Sequence, residues 1–288
     1  MEVKYHMKTI RLLYPDFVSG NLDEYYLGAR LMSQIVPENQ NQPLYKIDLP
    51  SPDSVHAEEK DGIYALDEVI LGIQKANNIL YEANPDKIIT IGGNCIVSLV
   101  PFDYLHGLYP DLGIIWIDAH PDISTPKDGY PNAHAMVLGS LLGGGAVQLR
   151  KEMKNPIFKP ENLLYVGLQD LHDYQEQFLK DLKVNYLVQK DKDLNNIDIS
   201  AFCDRFARVL VHLDIDVLNP TEFPATYFAN PMLVGDGSSG GNMSLARLNE
   251  VLHLIDDNSE IMGLTIAEYL PFAEYKLHKS LSSLKIFA

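Results

Sequence analysis

Apolar residues along this 288-residue chain gather into short stretches, with segments of helical periodicity between them. Eight stretches predict strands, at residues 9–14, 44–48, 87–91, 113–118, 162–167, 183–188, 207–214 and 262–268. Several, including GIIWID and ARVLVHLD, are apolar almost without interruption, as strands covered on both faces of a parallel sheet must be. Between them, residues 64–83 place Leu66, Val69, Ile70, Ile73, Ala76, Ile79 and Leu80 at helical spacing. Strand followed by helix, repeated, predicts an α/β fold. No internal repeat or low-complexity linker divides the chain, so residues 1–288 are expected to form one domain. The stretch from Asn219 to Asn242, with Pro220, Pro224, Pro231 and the run GDGSSGGN, predicts a long loop, and such loops in compact domains are more often functional than idle. Ser244 then stands where a helix N-cap belongs, ahead of Leu245, Leu248, Val251, Leu252 and Ile255.

Composition narrows the partners. Hydrophobic residues make up 46% of the chain and charged ones 22%, enough for a large core and too apolar for disorder. Against 39 Asp and Glu stand 23 Lys and Arg, a net charge of -16. Nucleic-acid binding would need a local basic patch, none is visible, and a small-molecule partner is expected. Cys95 and Cys203 match no CxxC pattern, which argues against a disulfide framework and a thiolate zinc site and fits a reducing compartment. The first ten residues lack the apolar core of a signal peptide, and no apolar run reaches the roughly 18 residues of a membrane span. A cytoplasmic protein with no membrane partner is the expectation.

Chemistry concentrates where the strands end, the edge at which open parallel sheets place ligands. The strand at 113–118 runs into Asp118-Ala-His120-Pro-Asp122, and a D-x-H-x-D pattern arises by chance only roughly 0.06 times in such a chain. The strand at 207–214 runs into Asp214-Ile-Asp216, whose carboxylates, two residues apart in an extended segment, point to one side. Any single strand-end aspartate is more often a cap or turn residue. Two such motifs at equivalent strand ends are not. Carboxylates converging to about 4 Å repel by roughly 4 kcal/mol per pair at an effective dielectric of 20. Two divalent cations would cancel four of them, and hard oxygen donors with one imidazole suit Mn²⁺. The inference is a binuclear metal hydrolase. His134, twelve residues beyond Asp122, can move protons there, although alone it reads equally well as a surface histidine. Glu268, ending the strand at 262–268, suits bidentate pairing with a guanidinium or amidine, against an even alternative as a cap or ion-pair partner.

With these motifs in place, the sequence resembles the ureohydrolase superfamily of arginases, agmatinases and formimidoylglutamases. The resemblance rests on Ile91-Gly-Gly93, DAHPD at 118–122, NAHAM at 132–136, LDIDVLNP at 213–220 and AEYLP at 267–271, in order and at matching spacing. It implies a three-layer αβα sandwich with a parallel eight-stranded sheet and a di-manganese hydroxide that attacks the amidine carbon. It further implies that Asp118 and Asp214 bridge the ions, that Asp122 completes one site, and that His120 with Asp216 completes the other. His134 would match the proton-shuttle histidine and Glu268 the guanidinium-holding glutamate. Related enzymes commonly form trimers or hexamers, so a homo-oligomer is implied. The carboxyl-terminal FAEYKLHKSLSSLKIFA can pack on a neighbour or dock on its own domain.

Departures from the family pattern bear on metal and substrate. Where Gly-Gly-Asp-His is usual, the chain reads Gly92-Gly93-Asn94-Cys95, so a metal-site histidine is replaced by Cys95. Four roles are open to Cys95: coordination as a thiolate that favours softer ions, a neutral thiol beside a weak site, a single-metal adaptation, or an inert residue beside a working second site. Among substrate-reading positions, Ser124 stands where arginases have asparagine, Tyr130 where they have serine four residues before the shuttle histidine, and Asn132 lies in NAHAM. His172 occupies the place of an aspartate that greets the substrate α-ammonium. Losing that anion costs about 1.5 to 3 kcal/mol, ten- to a hundredfold in recognition. L-arginine is therefore not the expected best substrate, and a small cationic guanidino or amidino compound of another kind is. Two alternatives stand beside it: a catalytically impaired homologue that binds a ligand or partner through the same pocket, with Cys95 as its support, and a hydrolase of the formimidoylglutamase or hydroxyarginine type.

Overall fold

The computed structural model describes residues 7–55, 57–230 and 238–287. Pro231 and residues 235–237 of the expected long loop, and the first six residues of the amino-terminal stretch, lie outside the described residues. Among the described residues there are nine strands: β1 (Thr9–Tyr14), β2 (Leu44–Lys46), β3 (Glu59–Lys60), β4 (Ile63–Tyr64), β5 (Lys87–Gly92), β6 (Gly113–Ile117), β7 (Leu163–Val166), β8 (Arg208–Asp214) and β9 (Glu260–Ala267). β3 and β4 form a small antiparallel hairpin. The other seven make one sheet in the order β2-β1-β5-β9-β8-β6-β7, parallel at every pairing. The helices are α1 (Glu24–Ile35), α2 (Leu66–Ala83), α3 (Leu99–Leu108), α4 (Val137–Leu141), α5 (Val147–Arg150), α6 (Asp173–Leu182), α7 (Asn196–Cys203), α8 (Leu245–Asn258) and α9 (Phe272–Ser282).

Strand parity builds three layers. Ile10, Leu12 and Tyr14 of β1 and Ile114 and Trp116 of β6 join a core with Val69, Ile73 and Leu80 of α2, Phe102 of α3 and Leu138 of α4. Ile115 and Ile117, on the opposite face, pack with Ile199 and Phe202 of α7 and with Leu248, Val251 and Ile255 of α8. α1 closes that second face through Ala29 and Met32 against Leu13 and Ile91. Every residue of β6 is buried, as its unbroken apolar run requires.

The sheet has seven strands among the described residues, one fewer than expected. Residues 183–188 form no ladder. The chain there is held beside β7 through Gln189, whose backbone N–H donates to Leu168 O at 2.7 Å. The Gln189 side chain accepts from Gly167 N at 2.8 Å and donates to Tyr165 O at 3.1 Å. One amide side chain thus satisfies groups that a strand ladder would otherwise have paired.

α8 starts as expected, with Ser244 Oγ accepting from Arg247 N at 3.1 Å. Ser244→Ala should lower stability by about 1 kcal/mol, because an orphan amide of the first turn loses its acceptor. Urea unfolding monitored by circular dichroism checks this, and an unchanged midpoint would count against the cap. α9 docks on its own chain through Tyr275 to Asp23 (3.1 Å) and Lys279 to Asp53 (2.6 Å), leaving Leu277 and Leu281 exposed. Among the described residues, no helix is long and apolar enough to cross a membrane.

Candidate metal centre and active site

Because all seven strands run parallel, their carboxyl ends share one edge, and four adjacent strands deliver the chemistry there. β8 ends on Asp214, β6 leads into Asp118, β9 into Glu268, and β5 into Gly93, Asn94 and Cys95. Glu268, at φ 63°, occupies the left-handed region, as does Asp122, four residues past Asp118, at φ 50°. Such a backbone costs a non-glycine residue roughly 1 to 2 kcal/mol and clusters at functional sites. Glu268 is pinned by its N–H, which donates to Gly93 O at 2.7 Å. Gly93 admits no side chain, since a Cβ would lie 1.7 Å from Asp16 O.

Asp118 and Trp116 share a face of β6, so Trp116 Nε1 donates to Asp118 Oδ2 at 2.9 Å while the His120 N–H donates to Oδ1 at 2.6 Å. His120 Nε2 donates to Ser239 O at 3.1 Å. Its Nδ1 then faces Asp216 Oδ2 at 3.2 Å and Asp118 Oδ1 at 3.5 Å. A ring nitrogen aimed at two carboxylates needs either a second proton or a cation between them, and donation of the other ring N–H to a backbone carbonyl is the habit of metal-bound histidines. Asp216 N donates to Asp214 Oδ1 at 2.7 Å, and Cys95 Sγ donates to Asp214 Oδ2 at 2.9 Å and to Glu268 Oε1 at 3.5 Å. Asp122 Oδ2 and Asp216 Oδ1 are buried without a hydrogen-bond partner. His134 Nδ1 donates to Glu268 Oε1 at 2.8 Å, Tyr130 OH meets His134 Nε2 at 3.0 Å, and Tyr25 OH donates to Glu268 Oε2 at 2.5 Å.

Burial, with neighbouring carboxylates adding to it, pushes the Asp118 pKa up to about 6 and those of Asp122 and Asp214 well above the usual carboxylate range. Burial also raises the Cys95 thiol and lowers the His212 imidazole. For His120 burial works downward, but the Asp216 charge and the hydrogen bonds to Asp118 and Asp216 outweigh it and the pKa rises. The sign for stability follows. A folded carboxylic acid with a raised pKa holds a proton that the unfolded chain gives up above about 4. Its stabilisation of the metal-free protein is complete below that pH and is lost as pH rises through the folded value, about 6 for Asp118. His120 adds loss in the same direction, and His212, lowered, opposes it below about 6.5. The melting-temperature gap between Mn²⁺-treated and chelator-treated protein should therefore widen from about pH 4 to about pH 6. A gap that narrows over this interval would contradict the assignment of these acids.

A cavity of about 510 Å³ opens over the centre. Cys95, His120, Asp122, Ser124, Tyr130, Asn132, His134, His172, Asp214, Asp216 and Glu268 all line it, and Asp118 lies behind them, fully buried. Ser124 Oγ meets Tyr174 OH at 3.2 Å, and His172 stacks on Tyr174 while capping α6 with Gln175. No lysine or arginine is among the described lining residues. Tyr25, Tyr174, Tyr227 and Phe228 also line the cavity and were not anticipated from sequence, since each arrives by chain folding rather than by a local motif. His212 is a different case: a histidine inside the apolar run VLVHLD was a visible signal.

A parallel αβα sandwich carrying this acid-lined centre at its carboxyl edge defines a ureohydrolase, the class that hydrolyses carbon–nitrogen bonds in linear amidines. The model of the Arginase family matches residues 38–284, and the chain belongs to that family. An arginase of Staphylococcus aureus (strain MRSA252) is 27% identical over 240 residues, covering 79% of this chain and 76% of that protein. Two solved structures share the fold. The arginase of Entamoeba histolytica in complex with L-ornithine superposes with a TM-score of 0.69 at 18% identity, covering 92% of each chain. The formimidoylglutamase of Bacillus subtilis subsp. subtilis str. 168 does so with a TM-score of 0.63 at 14% identity, covering 94% of this chain and 82% of that one.

Proposed function

We propose that the protein hydrolyses a guanidino or amidino compound other than L-arginine, releasing urea or an analogous amide, at a centre holding two divalent cations, with Mn²⁺ the expected metal. The observation that carries this reading is five buried carboxylates, Asp118, Asp122, Asp214, Asp216 and Glu268, gathered with no lysine or arginine among the described cavity residues. Two of their oxygens, Asp122 Oδ2 and Asp216 Oδ1, lack any partner. Buried acids of purely structural purpose are paired or hydrogen-bonded, whereas a cation site leaves such atoms for its ion. The donor set therefore fits divalent metal. Asp118 and Asp214 would be shared between the ions, Asp122 would serve one site with Cys95 beside it, and His120 with Asp216 would serve the other. Divalent cations so held act as Lewis acids and bring the pKa of water toward about 7.

The chain's own residues supply binding and proton handling. Glu268, with Oε1 and Oε2 already oriented by His134 and Tyr25, is placed to receive a guanidinium edge. Because Nδ1 of His134 donates to Glu268, Nε2 is the nitrogen that exchanges protons with the cavity and hands one to the departing amine. Tyr130, His172, Tyr174, Tyr227 and Phe228 offer aromatic surface in the cavity, and among the described lining residues no lysine or arginine pairs an α-carboxylate. Those walls favour a guanidine with a neutral or aromatic tail. Glu268→Gln should lower kcat/KM by about ten- to a hundredfold, mainly through KM, because one charge-assisted pairing is lost. Steady-state kinetics check this, and an unchanged KM would remove Glu268 from substrate binding.

A second reading, a homologue that binds without turnover, is favoured by one observation: Cys95 lies hydrogen-bonded to Asp214 at the place of a metal-site histidine. Metal analysis with a guanidino panel separates the two. Turnover of a panel member by Mn²⁺-loaded protein supports the hydrolase, and full occupancy with no turnover on any member sinks it. We take residues 1–288 as one domain because no repeat or linker divides them, as cytoplasmic from the cysteine usage, and as homo-oligomeric on the strength of the family resemblance; sedimentation checks the assembly.

A further inference from the structure

His212 is fully buried in β8 and takes no part in the chemistry so far. Its ring lies flat on Trp116, its register partner on β6, with centroids 3.7 Å apart and planes 8° from parallel. Nδ1 meets Ser98 Oγ at 2.7 Å, while Nε2 has no hydrogen-bond partner. That nitrogen does not face apolar packing. His212 Nε2, Cys95 Sγ and carboxylate oxygens of Asp118 and Asp122 all lie within 4.8 Å of one another, and Asp122 Oδ2 is the other unpartnered buried atom of the group. A buried polar atom left unpaired is costly, and two of them directed at one point beside a thiol describe an incomplete coordination shell.

We propose that Cys95, His212 and Asp122, with Asp118 shared, form a mixed thiolate, imidazole and carboxylate site that selects Zn²⁺ over Mn²⁺. The inference rests on the binuclear reading above and makes the two halves of the centre chemically unequal. Asp118, His120 and Asp216 form a second group sharing Asp118, with oxygen donors and a single imidazole suited to a harder ion. Thiolate and imidazole together suit zinc, which takes four ligands of this kind. As the cation binds, the Cys95 S–H bond breaks, a sulfur–metal bond forms, and the proton leaves to solvent, giving up the bond to Asp214 Oδ2. Ser98 accepts from Nδ1–H and so fixes the tautomer with its lone pair on Nε2, and Trp116 holds both the ring plane and Asp118 Oδ2. The histidine missing at position 95, after β5, is thus replaced from β8, two strands away in the sheet.

The test uses the full chain, stripped of metal and titrated with Co²⁺ as a spectroscopic stand-in for zinc. A sulfur-to-cobalt charge-transfer band should grow in the near ultraviolet and saturate at one equivalent. Zn²⁺ should erase it and Mn²⁺ at equal concentration should not. Cys95→Ser should abolish the band, and His212→Asn should weaken the band-forming step by about tenfold or more. Should either variant misfold, the wild-type spectrum still decides, together with nitrogen NMR of isotope-labelled histidine, in which Zn²⁺ should move His212 Nε2. Two cobalt ions bound without a sulfur band, or an unmoved His212 Nε2, would overturn the mixed site and leave the binuclear reading standing. Failure to bind any of the three metals would overturn both.

Discussion

Asp214→Asn is expected to reduce turnover by roughly 10³-fold or more, since removing a shared anionic ligand forfeits about 4 kcal/mol of transition-state stabilisation. The same change should stabilise the metal-free protein. Asp214 ends β8 with its carboxylate among Asp118, Asp216 and Glu268, all of which raise its pKa after burial has done so. Asparagine keeps the shape and the carbonyl that accepts from Asp216 N, while removing one member of the repelling set. Raised melting temperature without metal, together with loss of the rise produced by Mn²⁺, is therefore the paired signature. A general packing defect would lower stability in both conditions, so thermal unfolding with and without Mn²⁺, beside activity, separates the explanations. Wild-type turnover in the variant would remove Asp214 from the metal site.

His134→Asn is the second large effect, a fall in kcat of about 10² to 10⁴, the range of a lost general acid or base. His134 is only partly buried, at 17% side-chain exposure, so the fold should survive. Asparagine can still donate to Glu268, which preserves the guanidinium acceptor and should leave KM nearly unchanged. What disappears is the ring nitrogen that carries the proton to the departing amine. A variant that loses KM and kcat together would instead indicate that His134 positions Glu268.

Much of this was legible in the chain because the decisive signals are local. β1 occupies residues 9–14 as its apolar pattern indicates, and DAHPD and LDID sit at the ends of adjacent strands β6 and β8. A strand end followed by acids two residues apart is a short-range statement that sequence can carry. The missing eighth strand shows where such reading stops. Residues 183–188 have the composition of a strand, yet pairing is decided by Gln189, whose side chain reaches Gly167 and Tyr165. Tyr25 was equally invisible, since its contact with Glu268 spans 243 positions. The four-residue segment from Gly92 to Cys95 exposed its departure from the family at once, whereas the compensating histidine became meaningful only when β8 was seen beside β6.

The bonds that fasten the end of the long loop carry one more consequence. Ser239 O accepts from His120 Nε2, and Gly241 N donates to Asp216 O. This arm of the loop is tied to the same two residues expected to hold a cation. By reciprocity, whatever the cation gains from a correctly seated arm, the arm gains from the cation. Metal content and the protease resistance of residues 238–242 should then rise and fall together, making the loop a reporter of occupancy as well as a wall of the cavity.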